Sequence, residues 1–260
     1  MRDADLRIDL NCDMGEIAEA MTDGTQEALM RSLTSVNIAC GGHAGDERMM
    51  RATVEQAMRH GLAIGAHPGY ADRENFGRLE LHLTAAEVAE AVYEQVGTLA
   101  EFAADCGTRV THVKPHGALY NQAARDSVLA GAIARGVARW NTEVVMVGLA
   151  GSVMLGVFRE AGFAVAAEAF ADRRYEADGS LRSRKFADAL IRDPQEAGRQ
   201  AVRIVERSTV IACDGVEVSV AAQTLCIHGD TPGAAEIAAT VARALRDAGV
   251  KLGAAFPGIV

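Results

Sequence analysis

A chain of 260 residues with 49% apolar side chains carries enough material for a large core, and (β/α) barrels of roughly 250 residues fold as one unit. Its formal charge of -9 comes from 35 acidic against 26 basic residues. The basic residues are scattered, so no phosphate-backbone footprint exists and nucleic acid is excluded as a partner. The longest apolar stretch, residues 144–158, contains Gly148, Gly151, Ser152 and Gly156 and falls short of the roughly 20 residues of a membrane span, which excludes a membrane partner.

In chain order, residues 6–11 and 35–40 read as strands, 46–60 as an amphipathic helix, 62–66 as a strand and 84–106 as a helix opened by the capping box Thr84-Ala85-Ala86-Glu87. A strand at 110–114, a helix at 126–140, a strand at 144–148, a helix at 152–161 and a strand at 163–168 follow. Residues 173–185, with Tyr175, Asp178-Gly179 and four arginines, read as an exposed polar loop. After a helix at 194–207, a hairpin about Asp214-Gly215 is expected at 211–221, then a strand at 224–228 and a helix at 232–248 with Pro232 at its first position. Near-continuous apolar strands alternating with helices imply a parallel sheet covered on both faces. Seven such strands predict an α/β fold, a single seven-stranded parallel β/α barrel over residues 1–260 with a small hairpin insertion.

The five cysteines, Cys12, Cys40, Cys106, Cys213 and Cys226, form no CxxC pair, and Met1-Arg2-Asp3-Ala4-Asp5 lacks the basic-then-apolar run of an export signal. Free thiols in a reducing, cytoplasmic compartment are expected.

Polar signatures interrupt the apolar runs: Asp9-Leu10-Asn11-Cys12-Asp13-Met14-Gly15-Glu16, Asn37-Ile38-Ala39-Cys40-Gly41-Gly42-His43-Ala44-Gly45-Asp46, Gly65-Ala66-His67-Pro68-Gly69-Tyr70, Val113-Lys114-Pro115-His116-Gly117-Ala118-Leu119-Tyr120-Asn121 and Cys226-Ile227-His228-Gly229-Asp230-Thr231-Pro232. Each places reactive groups where a strand meets a turn, and strand ends converge at a barrel mouth. That geometry gathers Asp13, Glu16, His43, Asp46, His67, Lys114, His116, Glu168, Asp172, His228 and Asp230. The plainer alternative has Asp46 and Asp230 capping helices and some histidines hydrogen-bonded within the structure. His60, His82 and His112 sit inside helical or strand runs and are read as structural.

Chemically the set admits two readings. Asp13, His43 and His67 could bind a divalent metal, one carboxylate and two imidazoles leaving positions open. Without metal, a histidine is the general base on water, Asp13 orients it, and Lys114 and His116 stabilise developing negative charge. There is no GxxxxGK[ST] loop and no GxGxxG; backbone NH groups at Gly41, Gly42 and Gly45, before a helix, could bind an anion, and any ATP site would be non-standard or completed by a partner.

With these motifs, and with Glu168-Ala169-Phe170-Ala171-Asp172-Arg173-Arg174-Tyr175 and Asp178-Gly179-Ser180-Leu181 in the same order, the chain resembles the LamB/YcsF family from about Ile8 to Gly249. The resemblance implies a barrel of the glycoside hydrolase/deacetylase type. It also implies the A subunit of a 5-oxoprolinase: ATP-dependent opening of 5-oxo-L-proline to L-glutamate, with 5-oxoprolinase subunits B and C as separate chains. On that footing Asp13, His43, His67, Lys114, His116, Glu168 and His228 are expected in catalysis, and Asn11, Glu16, Asn37, Asp46, Tyr120, Asn121, Asp172, Arg173 and Asp230 in substrate binding. A metal-dependent deacetylase or amidohydrolase, and a protein that binds a small acid without turning it over, are the alternatives. An apolar helix face is equally compatible with a homo-oligomer.

Overall fold

Every strand run expected for the barrel forms, and together they close a ring. The computed structural model describes residues 6–256, so residues 1–5, where an export signal would begin, lie outside it. The first half of the chain forms β1 (Arg7–Met14), α1 (Ala18–Thr22), α2 (Thr25–Met30), β2 (Ser35–Ala39), α3 (Glu47–Arg59), β3 (Ala63–His67), α4 (Ala85–Asp105) and β4 (His112–Val113). It continues with α5 (Gly117–Ala123), α6 (Ser127–Trp140), β5 (Val145–Leu149), α7 (Val153–Glu160) and β6 (Ala164–Phe170). The last part holds α8 (Pro194–Arg207), the hairpin β7 (Thr209–Ile211) and β8 (Glu217–Ser219), then β9 (Thr224–Cys226), α9 (Ala234–Asp247) and β10 (Lys251–Leu252). Parallel pairing runs β1-β2-β3-β4-β5-β6-β9 and returns from β9 to β1, a closed seven-stranded barrel, while β10 extends the start of β1.

Local chemistry fixes the helix starts. Asp46 accepts from Met49 N–H, Thr84 and Glu87 satisfy each other's backbone donors, and Asp193 caps a helix whose first residue is Pro194. Two expectations fail here. The last helix starts at Ala234 behind a left-handed Gly233, so Pro232 belongs to the preceding turn. The hairpin pairs Thr209 with Ser219, two residues earlier than expected at each end, because the β-branched Thr209 and Val210 already extend the chain.

Alternation along the strands, two residues per repeat, sorts β1 into Leu10 and Cys12 packed in the apolar shell and Asp9, Asn11 and Asp13 facing other strands across the barrel. The barrel interior is therefore polar. Asp9 accepts from the hydroxyls of Thr34, Ser35 and Thr224. Above it, Asn11 donates to Thr224 and Glu168, and Asn37 donates to Asn11 and Asp13. His112 reaches Asn37 across β3, at 3.0 Å, because the residue between them is Gly65: a Cβ there would overlap the imidazole. Phe256 stacks on His112 at 3.9 Å and, with Ala63, Val145, Val147 and Ala166, closes the barrel floor.

Burial raises Asp9 from 3.8 to about 6 against the three hydroxyls that oppose the shift. Folded Asp9 thus holds its proton where unfolded Asp9 has lost it, so stability falls as pH rises from about 4 through about 6, by up to roughly 3 kcal/mol. Asp9→Asn is expected to flatten that part of the curve. Urea midpoints of the two proteins that stay parallel across this range would refute the assignment.

Candidate active site

β1 extends through Met14 and β3 through His67, further than the sequence suggested, which carries Asp13 and His67 to the upper rim of the barrel. Lys114 follows β4, and Glu168 lies near the end of β6. The Lys114 ammonium is almost fully buried, 2.8 Å from Glu168 Oε1 and 3.0 Å from Asp13 Oδ1, with Cys226 Sγ at 3.2 Å. Burial alone would depress it; Asp13, Cys226 and Glu168 outweigh that and hold it well above the usual lysine range. Its charge is thereby compensated within the protein. Burial would likewise push Asp13 up, but His67 and Lys114 prevail and keep the carboxyl well below its ordinary value. Tyr120 donates to Glu168 at 2.8 Å.

The imidazoles meet on the other side of Asp13. His67 Nδ1 donates to the Lys114 carbonyl at 2.7 Å, which turns Nε2 toward Asp13 Oδ2 at 3.1 Å and His116 Nδ1 at 2.9 Å. His116 Nε2 donates to the Phe76 carbonyl at 2.9 Å, so the inner nitrogen of His116 is a lone pair. His43 lies flat against His116, ring centres 3.6 Å apart, and its Nε2 is 2.8 Å from Glu16 Oε1. Burial, reinforced by His67, lowers His43 to about 2 and His116 to about 3, so both are neutral at pH 7. Burial raises Glu16, with His116 opposing and Asp13 reinforcing. Nitrogens whose outer partners are backbone carbonyls converge, with acceptors on every side of His67 Nε2. The negative field there is met by a shared proton or by a cation.

This changes the expected metal set. The atoms that lie within 4.8 Å of one another belong to Glu16, His43, His67 and His116. Asp13 gives its oxygens to Lys114, Asn37 and His67 instead.

Other expected residues divide. Asp13, Glu16, His67, Lys114, His116, Tyr120, Asn121, Arg173, His228 and Asp230 line one cavity of about 740 Å³ at the barrel mouth. Asn11 and Asn37 lie beneath it as supports, and Asp172 accepts from both the backbone N–H and Nδ1 of His228. Asp46 serves as the cap of α3, the plainer alternative, whereas Asp230 caps nothing and instead pairs with Arg78 and Arg184. In the glycine loop the Gly41 N–H is already given to the Ala44 carbonyl, and Arg73 binds the carbonyls of Gly41 and Gly45. A Cβ at Gly42 would meet the Gly69 carbonyl as well as the end of the Gln95 side chain. Residues 173–185 are not simply an exposed loop: Arg173 and Tyr175 are buried, and bridges Arg173–Leu190 and Tyr175–Leu181 strap the segment over the barrel.

Sequence reasoning missed Phe76. Its φ of 56° is costly for a bulky side chain, about 1–2 kcal/mol, and it aims the carbonyl at His116 while the ring stands edge-on to His43 and His116. His112, read as structural, is structural, but as a member of the polar floor under the site. The five cysteines are free, and among the described residues no helix is long and apolar enough to cross a membrane.

The A subunit of a 5-oxoprolinase from Chloroflexus aggregans is 51% identical over 94% of this chain and 97% of its own length. The crystal structure of a lactam utilization protein from Thermus thermophilus superposes with a TM-score of 0.89 at 42% identity, covering 95% of this chain and 99% of that one. A family 4 carbohydrate esterase from Streptomyces lividans, 11% identical with a TM-score of 0.51 over 97% of this chain and 94% of its own, shares the fold alone. The LamB/YcsF family model matches residues 8–257, and with relatives this similar along their whole length the chain belongs to the LamB/YcsF family.

Proposed function

We propose that this chain is the A subunit of an ATP-dependent 5-oxoprolinase and holds 5-oxo-L-proline while its lactam is opened to L-glutamate. The observation that carries the reading is the pairing of an ionised Asp13 with His67 beside compensated Lys114, at the floor of a cavity sized for a small molecule, in a chain whose relatives are named as the A subunit of 5-oxoprolinase. Amide resonance makes a lactam a poor electrophile. ATP, spent with subunits B and C, converts the lactam oxygen to a phosphorylated leaving group. Water then forms the new C–O bond, the ring C–N bond breaks with the nitrogen leaving as an amine carrying a proton, and a second water cleaves the acyl phosphate left behind to give the glutamate side-chain carboxylate and inorganic phosphate. The Asp13–His67 pair manages the proton of this step: His67, held by the Lys114 carbonyl, passes the proton shared at Nε2 to the departing nitrogen, and Asp13 stabilises the imidazolium that carries it. The gathered acid and base groups favour a hydrolase over a protein that only binds. Glutamate release from 5-oxo-L-proline and ATP should appear in a mixture of this chain with subunits B and C and vanish when this chain is omitted. Undiminished release without it would remove the chain from the reaction.

A second reading rests on Glu16, His43, His67 and His116. Their inner atoms and the backbone acceptors behind His67 and His116 fit the shell of a divalent ion. Such an ion would supply Lewis-acid polarisation of an amide oxygen. Equilibrium dialysis against Zn²⁺ is expected to leave near-stoichiometric metal on the wild type and little on Glu16→Gln/His116→Ala. Equal retention by both, or none by the wild type, removes this reading.

A further inference from the structure

Arg173 is a buried cation that makes no ion pair among the described residues. Only 8% of it is exposed, its Nη2 donates to the Arg182 carbonyl at 2.7 Å, and its Nε, itself buried, has no hydrogen-bond partner among the described residues. The adjacent carboxylate, Asp172, acts on Arg173 through its charge but gives its hydrogen bonds to His228. Arg184, close enough to lower Arg173 together with burial to about 10, shares Asp230 with Arg78. Of the guanidinium groups lining the cavity, Arg78 and Arg184 share Asp230 and Arg125 pairs with Glu80, whereas Arg173 makes no ion pair among the described residues. Lys114, the other buried cation of the cavity, is already matched by Asp13 and Glu168. An unpaired buried guanidinium is costly unless an anion completes it.

We propose that Arg173 is the carboxylate receptor of this cavity, holding a small acid so that its amide faces Asp13 and His67. The inference rests on the lactam reading of the same site. Ionised Asp13, which lines the same cavity, disfavours a carboxylate beside it, so a molecule bearing both groups is favoured with its carboxylate at Arg173. The planar fork of Arg suits two carboxylate oxygens, which the point charge of Lys does not.

Calorimetric titration of the intact chain with 5-oxo-L-proline, 5-oxo-L-prolinamide, N-acetylglycine and inorganic phosphate tests this without turnover. The wild type should bind the acid about 10–150-fold more tightly than its amide, the worth of charge-assisted hydrogen bonds. Arg173→Gln should lose that preference, and Arg173→Lys should fall between. Should Arg173→Gln not fold, Arg173→Lys carries the comparison. A folded Arg173→Gln that keeps the full preference overturns the proposal and leaves the lactam reading intact. Arg173-dependent binding of N-acetylglycine, with none of 5-oxo-L-proline, keeps the receptor and sinks the lactam. Phosphate bound in place of the acids and lost in Arg173→Gln, or no acid bound at millimolar concentration, overturns the receptor.

Discussion

Replacing Lys114 by Met is expected to cost about 3–5 kcal/mol of folding stability, the penalty for leaving buried carboxylates without their cation. The ammonium lies 2.8 Å from Glu168 and 3.0 Å from Asp13, and nothing else beside Glu168 carries positive charge: its other partners are Asn11 and Tyr120. Against a total of about 5–15 kcal/mol the loss is large enough to read from a urea midpoint. Adding Glu168→Gln removes the stranded charge, so the double variant should recover about 1–3 kcal/mol of what the single one lost. A Lys114→Met protein with an unchanged midpoint would show that the triad does not hold the barrel together.

Much of the architecture is legible in the sequence, because strand and helix alternate with clean turn chemistry. Capping at Asp46, Thr84, Asp126 and Asp193 starts the helices where the residues say it should. What the sequence hides depends on closure. Only when β9 returns to β1 do Asp9 and Thr224, 215 positions apart, share a hydrogen bond. The signal is present in Asp9-Leu10-Asn11-Cys12-Asp13, whose strict alternation marks a polar interior. Read as a motif at a strand end, it yields Asp13 and passes over Asp9.

The site is legible as a set and not as an arrangement. The motif histidines do meet, but which atoms face one another is decided by carbonyls of Lys114 and Phe76, and a carbonyl leaves no trace in side-chain identity. For the same reason Glu16, just beyond the end of β1, replaces Asp13 beside His43. The left-handed Phe76 carries no sequence signal, since Phe ordinarily avoids that conformation.

Asp13→Asn should lower turnover by about 10²–10⁴-fold, the usual worth of a positioned acid–base group, with little loss of fold. The amide keeps the shape of the carboxylate and Lys114 keeps Glu168, but His67 loses the negative charge that orients it and stabilises its imidazolium. Binding of 5-oxo-L-proline should change far less than turnover if Arg173 holds the carboxylate end, as proposed above. The decisive measurement is the rate of ATP-dependent glutamate release from 5-oxo-L-proline by this chain reconstituted with subunits B and C, wild type against Asp13→Asn at matched thermal stability. The account predicts release by the wild-type mixture and a fall of at least about a hundredfold in the variant. Equal rates would contradict it, for the lactam would then be opened without the barrel mouth described above.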